Sequence, residues 1–271
     1  MGASIIGVRN KFKRAEDHLA ELQGSIQRWG TAVAEREPFT IDHQFERKRV
    51  VIRHGKVSPN DPAWPLIVGD IIHNLRSALD HLVCQLAILN GNDVSCCDGT
   101  HFPICIHKSD FRKADKRLKK LISPEAFALI EDLQPYKAAD EGKRPTAALL
   151  WAVHKLNIID KHRTLLVVGK LFRATDLAYT LDGGTPTSID IDKSWRPLED
   201  GTEIASIDLS TVPFKAGAEN KMRMQGGTEA QVFIYETGCG CDGQEVGKVM
   251  LACMGRVSEI IGQFESKCFP A

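Results

Sequence analysis

The segment GDIIHNLRSALDHLVC, residues 69 to 84, holds the densest set of side chains able to do chemistry. At about 100° per residue, Asp70, His73, Asn74, Ser77, Asp80, His81 and Cys84 fall on one face of a helix, with Arg76 at its margin and aliphatic residues opposite. A solvated helix face is usually built from Lys and Glu, whereas this one mixes imidazoles, carboxylates, an amide and a hydroxyl. Such groups are costly to bury unpaired, so they must meet water, one another or a ligand. A guanidinium can hold a phosphate through two parallel N–H donors, and an imidazole can move a proton near neutral pH.

A second set lies in HKLNIIDKHR, residues 154 to 163. His154, Asn157 and Lys161 form a stripe at helical spacing, and Asp160, His162 and Arg163 sit at the C-terminal end, where cations meet the helix dipole favourably. If the two stripes face each other across a bundle, they make one shared site, with His73 or Asp80 within reach of His154 or Lys161. Asp70, His73, Asp80 and His81 beside His154 would also supply enough ligands for zinc or iron, but the Glu-x-x-His pairs of di-iron bundles are absent. Cys96, Cys97, His101, Cys105 and His107, even with Cys239 and Cys241, lack the paired spacing of a zinc knuckle. No metal and no cofactor is expected. There is no glycine-rich phosphate loop, GxSxG elbow or Rossmann fingerprint, so nucleotide hydrolysis by the P-loop route is not expected either.

Arg76 and His81 enclose four residues, and this resembles the Arg, four to six residues, His motif of the HEPN superfamily of helical-bundle nucleases and nucleotide-binding modules. The resemblance covers about 25 residues. It implies a metal-independent ribonuclease site completed by the same motif of a second protomer. Arg76 would hold the scissile phosphate and His81 would assist proton transfer at the ribose 2′-hydroxyl. The supporting residues would be His73, Asn74, Ser77 and Asp80 on the same helix, and His154, Asn157, Lys161 and His162 on the other. The wider string, with FPI (102–104), LQPY (133–136) and DKHR (160–163), is similar to a bacterial protein family to which no activity is attached. The competing reading is a non-catalytic binding or assembly module in which the polar face makes structural hydrogen bonds.

The elements that would carry these residues follow from periodicity. Val8, Phe12, Ala15, Leu19, Leu22, Ile26, Trp29 and Val33 step by four and three, which predicts one long helix with a heptad seam able to pair with its own copy in a homodimer. Pro38 ends it, and residues 39–57 read as a short strand pair. After Pro59, Pro62 and Pro65, residues 66–90 read as the second helix, closed by Asn90 and Gly91. A basic helix from Ser109 to Leu121, a helix capped by Ser123 and stopped by Pro135, and a helix over 146–162 complete a mainly helical 1–163. Residues 164–237 turn β-rich, with a hairpin signal at Asp182, Gly183 and Gly184, and a last helix spans about 244–266. The expected fold is α+β. An antiparallel helical bundle is interrupted by an antiparallel sheet, and the C-terminal helix returns to the bundle in a single unit of 271 residues.

The 35 basic and 35 acidic residues cancel, so no global positive field draws the chain to nucleic acid, and any RNA contact must be local. The local sources are residues 108–120, with seven Lys or Arg against two Asp, and residues 46–56, with five against one Glu. No apolar run is long enough to span a bilayer, no secretory signal opens the chain, and the C-terminal Cys268-Phe269-Pro270-Ala271 is a poor prenylation box. A cytoplasmic protein is therefore expected, with its eight cysteines as thiols.

Overall fold

A computed structural model describes residues 2–35, 39–55, 61–140, 144–163, 168–181, 187–188, 196–197, 201–208, 210 and 222–269. The fold is α+β with a helical bundle. In place of a single unit, the contacts gather into two compact units: Met1–Gln23 with Pro62–Val168 and Ile234–Ala271, and Gly24–Asp61 with Gly169–Phe233. The first helix, α1 (Ile6–Glu35), runs from one into the other.

In the helical unit the central element is α2 (Ala63–Leu89), which packs against α6 (Arg144–His162) and α7 (Val246–Cys268), themselves in contact. The helix α2 starts three residues before its expected first residue, because Pro62 occupies the cap position and Pro65 the first turn, where no backbone N–H is needed. Ile71, Leu75, Ala78, Leu79 and Leu82 are fully buried on it. On α7 the buried set Val249, Met250, Cys253, Val257, Ile260 and Phe264 keeps helical spacing, and the helix returns to the bundle as its apolar stripe requires.

The start of α1 joins the same bundle. Ser4 N–H donates to Gln85 Oε1 at 2.8 Å, Arg9 pairs with Glu265, and Val8, Ala15, Leu19 and Leu22 are buried. The first half of the heptad seam is thus core of its own chain. Between α2 and α6 lie α3 (Lys108–Leu121), α4 (Pro124–Asp132) and α5 (Pro135–Asp140). Ser123 Oγ accepts from Ala126 N–H at 3.2 Å and caps α4. Pro135 does not merely stop a helix: it opens α5 at the position where a missing N–H is harmless. Phe111 and Leu118, seven residues apart, are the buried face of α3, and the Phe111 ring meets Phe127 and Tyr136 at 5.8 and 5.9 Å.

The second unit holds the antiparallel ladder β1 (Phe39–Gln44), β2 (Arg49–His54) and β6 (Glu203–Asp208), in the order β1-β2-β6. Val50, Val51 and Ile52 are consecutive and all buried, as befits a central strand covered on both faces. A second sheet has the order β4-β3-β7, built from β3 (Val168–Leu181), β4 (Thr187–Ser188) and β7 (Met222–Ile234), with β5 (Arg196–Pro197) antiparallel to β3; β8 (Gln244–Glu245) falls within the helical unit. The expected hairpin at Asp182, Gly183 and Gly184, the helix stop at Pro38 and most of SIDID (188–192) lie outside the described residues.

Candidate functional site

Residues five apart on a helix point about 140° from each other, and α2 uses that angle to send Arg76 and His81 to different neighbours. Arg76 is buried at 7% exposure. Its Nη2 donates to the Phe102 carbonyl at 2.6 Å and pairs with Asp80 Oδ1 at 2.8 Å, one helical turn on. The same Asp80 oxygen accepts from the Phe102 N–H at 2.8 Å, and His101 Nδ1 stands 3.8 Å from the other. Burial pulls the Arg76 pKa below its ordinary value, and the neighbouring Asp80 charge and hydrogen bond oppose that. His81, by contrast, is exposed and lies beside Gly7 of α1. The structure does not bring Arg76 and His81 together.

The extended segment 101–105 that receives Arg76 is fastened from its other side by Gln134. This fully buried amide donates to the Pro103 carbonyl and to the Ile130 carbonyl, both at 2.9 Å, and accepts from Cys105 N–H at 3.0 Å. Tyr136 N–H adds a bond to the Cys105 carbonyl at 3.3 Å. The strings FPI and LQPY are therefore two halves of one clasp, with α2 supplying the third part through Arg76 and Asp80. Sequence reading had no role for Gln134. The available signal was an amide between an apolar helix end and a proline, where no solvated face was due.

The two polar stripes do meet, at α2 and α6, where Asp160 lies against Gly69. Gly69 leaves room for Asp160: a Cβ on that glycine would stand 2.5 Å from Asp160 Oδ1. Burial, and next the charge of Asp70, push the Asp160 carboxyl above its usual range, while His73 and Lys161 pull it back. Nearly two turns back along α6, His154 sits half-buried against Trp151, ring centroids 5.4 Å apart, and its pKa falls to about 4 through burial first and the Arg76 charge second. His154 is a neutral imidazole at pH 7. His154 Nδ1, Asn157 Oδ1 and Arg76 Nη1 are buried without a hydrogen-bond partner among the described residues.

The remaining predicted residues spread out. Asn74 is buried and donates to the Asp70 carbonyl at 2.8 Å, a local bond within α2. Ser77 Oγ stands 3.5 Å from His73 Nε2 on the solvent side. Lys161 and His162 are exposed at the end of α6, and Arg163 pairs with the buried Glu236. Among the described residues no group of three or more His, Cys, Asp or Glu side chains is arranged to hold a metal ion. Cys84 and Cys97, expected as thiols, form a disulfide that ties α2 to the loop after it, which also removes both from any zinc set. No helix among the described residues is long and apolar enough to cross a membrane.

No family model, curated protein or solved structure matches the chain.

One exposed feature stands out beside the buried clasp. On α3, Lys108, Arg112, Lys116 and Lys120 are all exposed and four residues apart, about 6 Å of rise each. The two acids of that helix are taken up locally, Asp110 by Lys113 and Asp115 by Lys119, both at 2.9 Å. The sequence showed this run as a basic segment, and the structure turns it into an outward-facing line of cations.

Proposed function

We propose that the helical unit is a non-catalytic binding module for RNA, with α3 as its contact and the Arg76–Asp80 clasp as its scaffold. The observation that carries this reading is the place of Arg76: buried, bonded to Asp80 and to the Phe102 carbonyl, it has no route to a phosphate without breaking the clasp. Cations spaced about 6 Å apart on α3 suit successive phosphates of a single strand, and such contacts are sequence-tolerant and salt-dependent. The test is fluorescence anisotropy with a labelled single-stranded RNA, read together with a cleavage gel on the same samples. Salt-dependent binding with intact RNA is expected, and intact RNA without binding removes the proposal.

A second reading keeps the ribonuclease implied by the HEPN-like motif, and the exposed imidazole of His81 favours it. It requires RNA cleavage that survives EDTA, since imidazole and guanidinium chemistry needs no metal hydroxide, and that is lost in His81→Ala. It also calls for a homodimer, which sedimentation of the wild-type chain decides. Because Leu19 and Leu22 are core residues, a dimer would use a surface other than the first half of the α1 seam.

A further inference from the structure

The loop from β7 to α7 reads Glu236-Thr237-Gly238-Cys239-Gly240-Cys241-Asp242-Gly243, and neither reading of function uses it. Gly238, Gly240 and Gly243 have φ of +79°, +80° and +69°, a backbone region that only glycine enters without strain. These turns fold the chain back on itself. Gly243 N–H reaches the Ile234 carbonyl at 2.8 Å, and the two cysteines, which an extended chain would hold farther apart, have Sγ atoms 2.9 Å from each other. That is well inside the contact distance of two sulfurs and about 0.9 Å beyond a covalent S–S bond. The loop is also held in place: Trp151 Nε1–H donates to the Gly238 carbonyl at 3.3 Å, and Cys239 Sγ donates to the Glu236 carbonyl at 2.9 Å.

We propose that Cys239 and Cys241 are a redox-active dithiol that closes reversibly to an intraloop disulfide by exchange with a small-molecule disulfide. The attacking sulfur is Cys239, because the hydrogen bond from Cys241 lowers its pKa and favours the thiolate. The Cys239 thiolate attacks one sulfur of the oxidant, the oxidant's S–S bond breaks, and its first thiolate leaves. Cys241 then loses its proton to water, and its sulfur attacks Cys239 Sγ and expels the second thiolate. Two electrons pass from the loop thiols to the oxidant, which ends as two thiols after taking up two protons. Cys253 on α7 is a third buried thiol nearby, but burial and the Cys239 charge push it up to about 12, so it stays protonated and does not compete. Both loop sulfurs are buried, while Thr237, Gly238, Gly240, Asp242 and Gly243 are exposed, so an opening of the loop alone admits the oxidant.

The full chain is incubated with excess oxidised glutathione at neutral pH, quenched with acid, unfolded, alkylated and mapped by mass. The expected result is at least a tenfold loss of alkylation at both Cys239 and Cys241, a loop peptide that is lighter by two hydrogens and retains no glutathione, and Cys253 still alkylated. In Cys241→Ser the resolving sulfur is missing, so glutathione accumulates on Cys239. Treatment with dithiothreitol restores both thiols in the wild type, with the circular dichroism unchanged throughout. Cys239 and Cys241 remaining fully alkylatable in the wild type, or Cys239 recovered joined to Cys253, overturns the proposal.

Discussion

Two helices of the same unit, α2 and α3, are both rich in ionisable residues and put them to opposite use. On α2 the Arg76–Asp80 pair is turned inward and its partners are specific: Arg76 has Asp80 and the Phe102 carbonyl, and Asp80 has the Phe102 N–H. On α3 the acids are absorbed within the helix and four cations are left facing water. A buried charge needs fixed partners to offset its desolvation, so it organises the chain around it, whereas an exposed charge is screened by solvent and contributes little to folding but much to encounter with a polyanion. The difference assigns architecture to α2 and contact to α3.

The largest effect should come from breaking the α2 clasp. Arg76→Ala leaves the Asp80 carboxylate and the Phe102 carbonyl without their buried donor, a loss of about 3–5 kcal/mol in urea unfolding. The double change Arg76→Met, Asp80→Leu removes both charges and should recover most of that loss, since a buried pair replaced by apolar side chains is often neutral. An Arg76→Ala protein of wild-type stability would dissolve the contrast with α3 and return Arg76 to a catalytic role. On α3 the expectation is reversed. Arg112→Glu with Lys116→Glu should leave the unfolding midpoint unchanged, weaken RNA binding by about tenfold or more, and flatten the log–log salt slope by about 1.4, the share of two single-strand phosphate contacts.

Why the sequence made α2 look catalytic and α3 look ordinary has a physical explanation. Helical spacing shows which residues share a face but not what lies opposite, and the partner of Arg76 outside its own helix is the backbone carbonyl of Phe102, 26 residues away. The helices, the strand pair and the returning C-terminal helix were legible because apolar periodicity is local. The division into two units was not, because it is made by contacts between distant segments, Gly24–Asp61 with Gly169–Phe233. The convergence of the 69–84 and 154–163 segments was foreseen, but it occurs through Gly69, a residue with no side chain to attract notice. The Cys84–Cys97 bond was missed because cysteine spacing carries no pairing information by itself.

A smaller effect concerns pH. His154 has a folded pKa of about 4, below the 6.5 of the unfolded chain, so the unfolded state takes up a proton first as pH falls. Its contribution is therefore full above pH 6.5 and is lost progressively down to about pH 4, by about 1–2 kcal/mol once partial exposure is allowed for. Asp160 acts in the opposite sense, because its raised pKa favours the folded state on acidification. Comparing wild type with His154→Gln isolates the first term: the variant should lose less stability between pH 6.5 and 4. On α3 no such buried imidazole exists, and the charge-reversed protein should follow the wild-type profile in that window.

The smallest effect is the most discriminating for the α2–α6 contact. Replacing a mid-helix glycine by alanine normally stabilises by about 0.5–1 kcal/mol, because the unfolded chain loses freedom. At Gly69 the new Cβ would stand 2.5 Å from Asp160 Oδ1 and 2.9 Å from its Cγ, so the carboxylate must leave its place. In the wild-type background the two terms oppose each other, and Gly69→Ala should gain nothing or lose up to about 1 kcal/mol. In an Asp160→Ala background the obstacle is gone and the same change should stabilise. A double-mutant cycle from urea unfolding reads the difference directly, and a coupling of about 1 kcal/mol is expected for groups in contact. Strict additivity would mean that Asp160 does not rest on Gly69, and the inward-facing polar contact of α2 would then be confined to the Arg76 clasp.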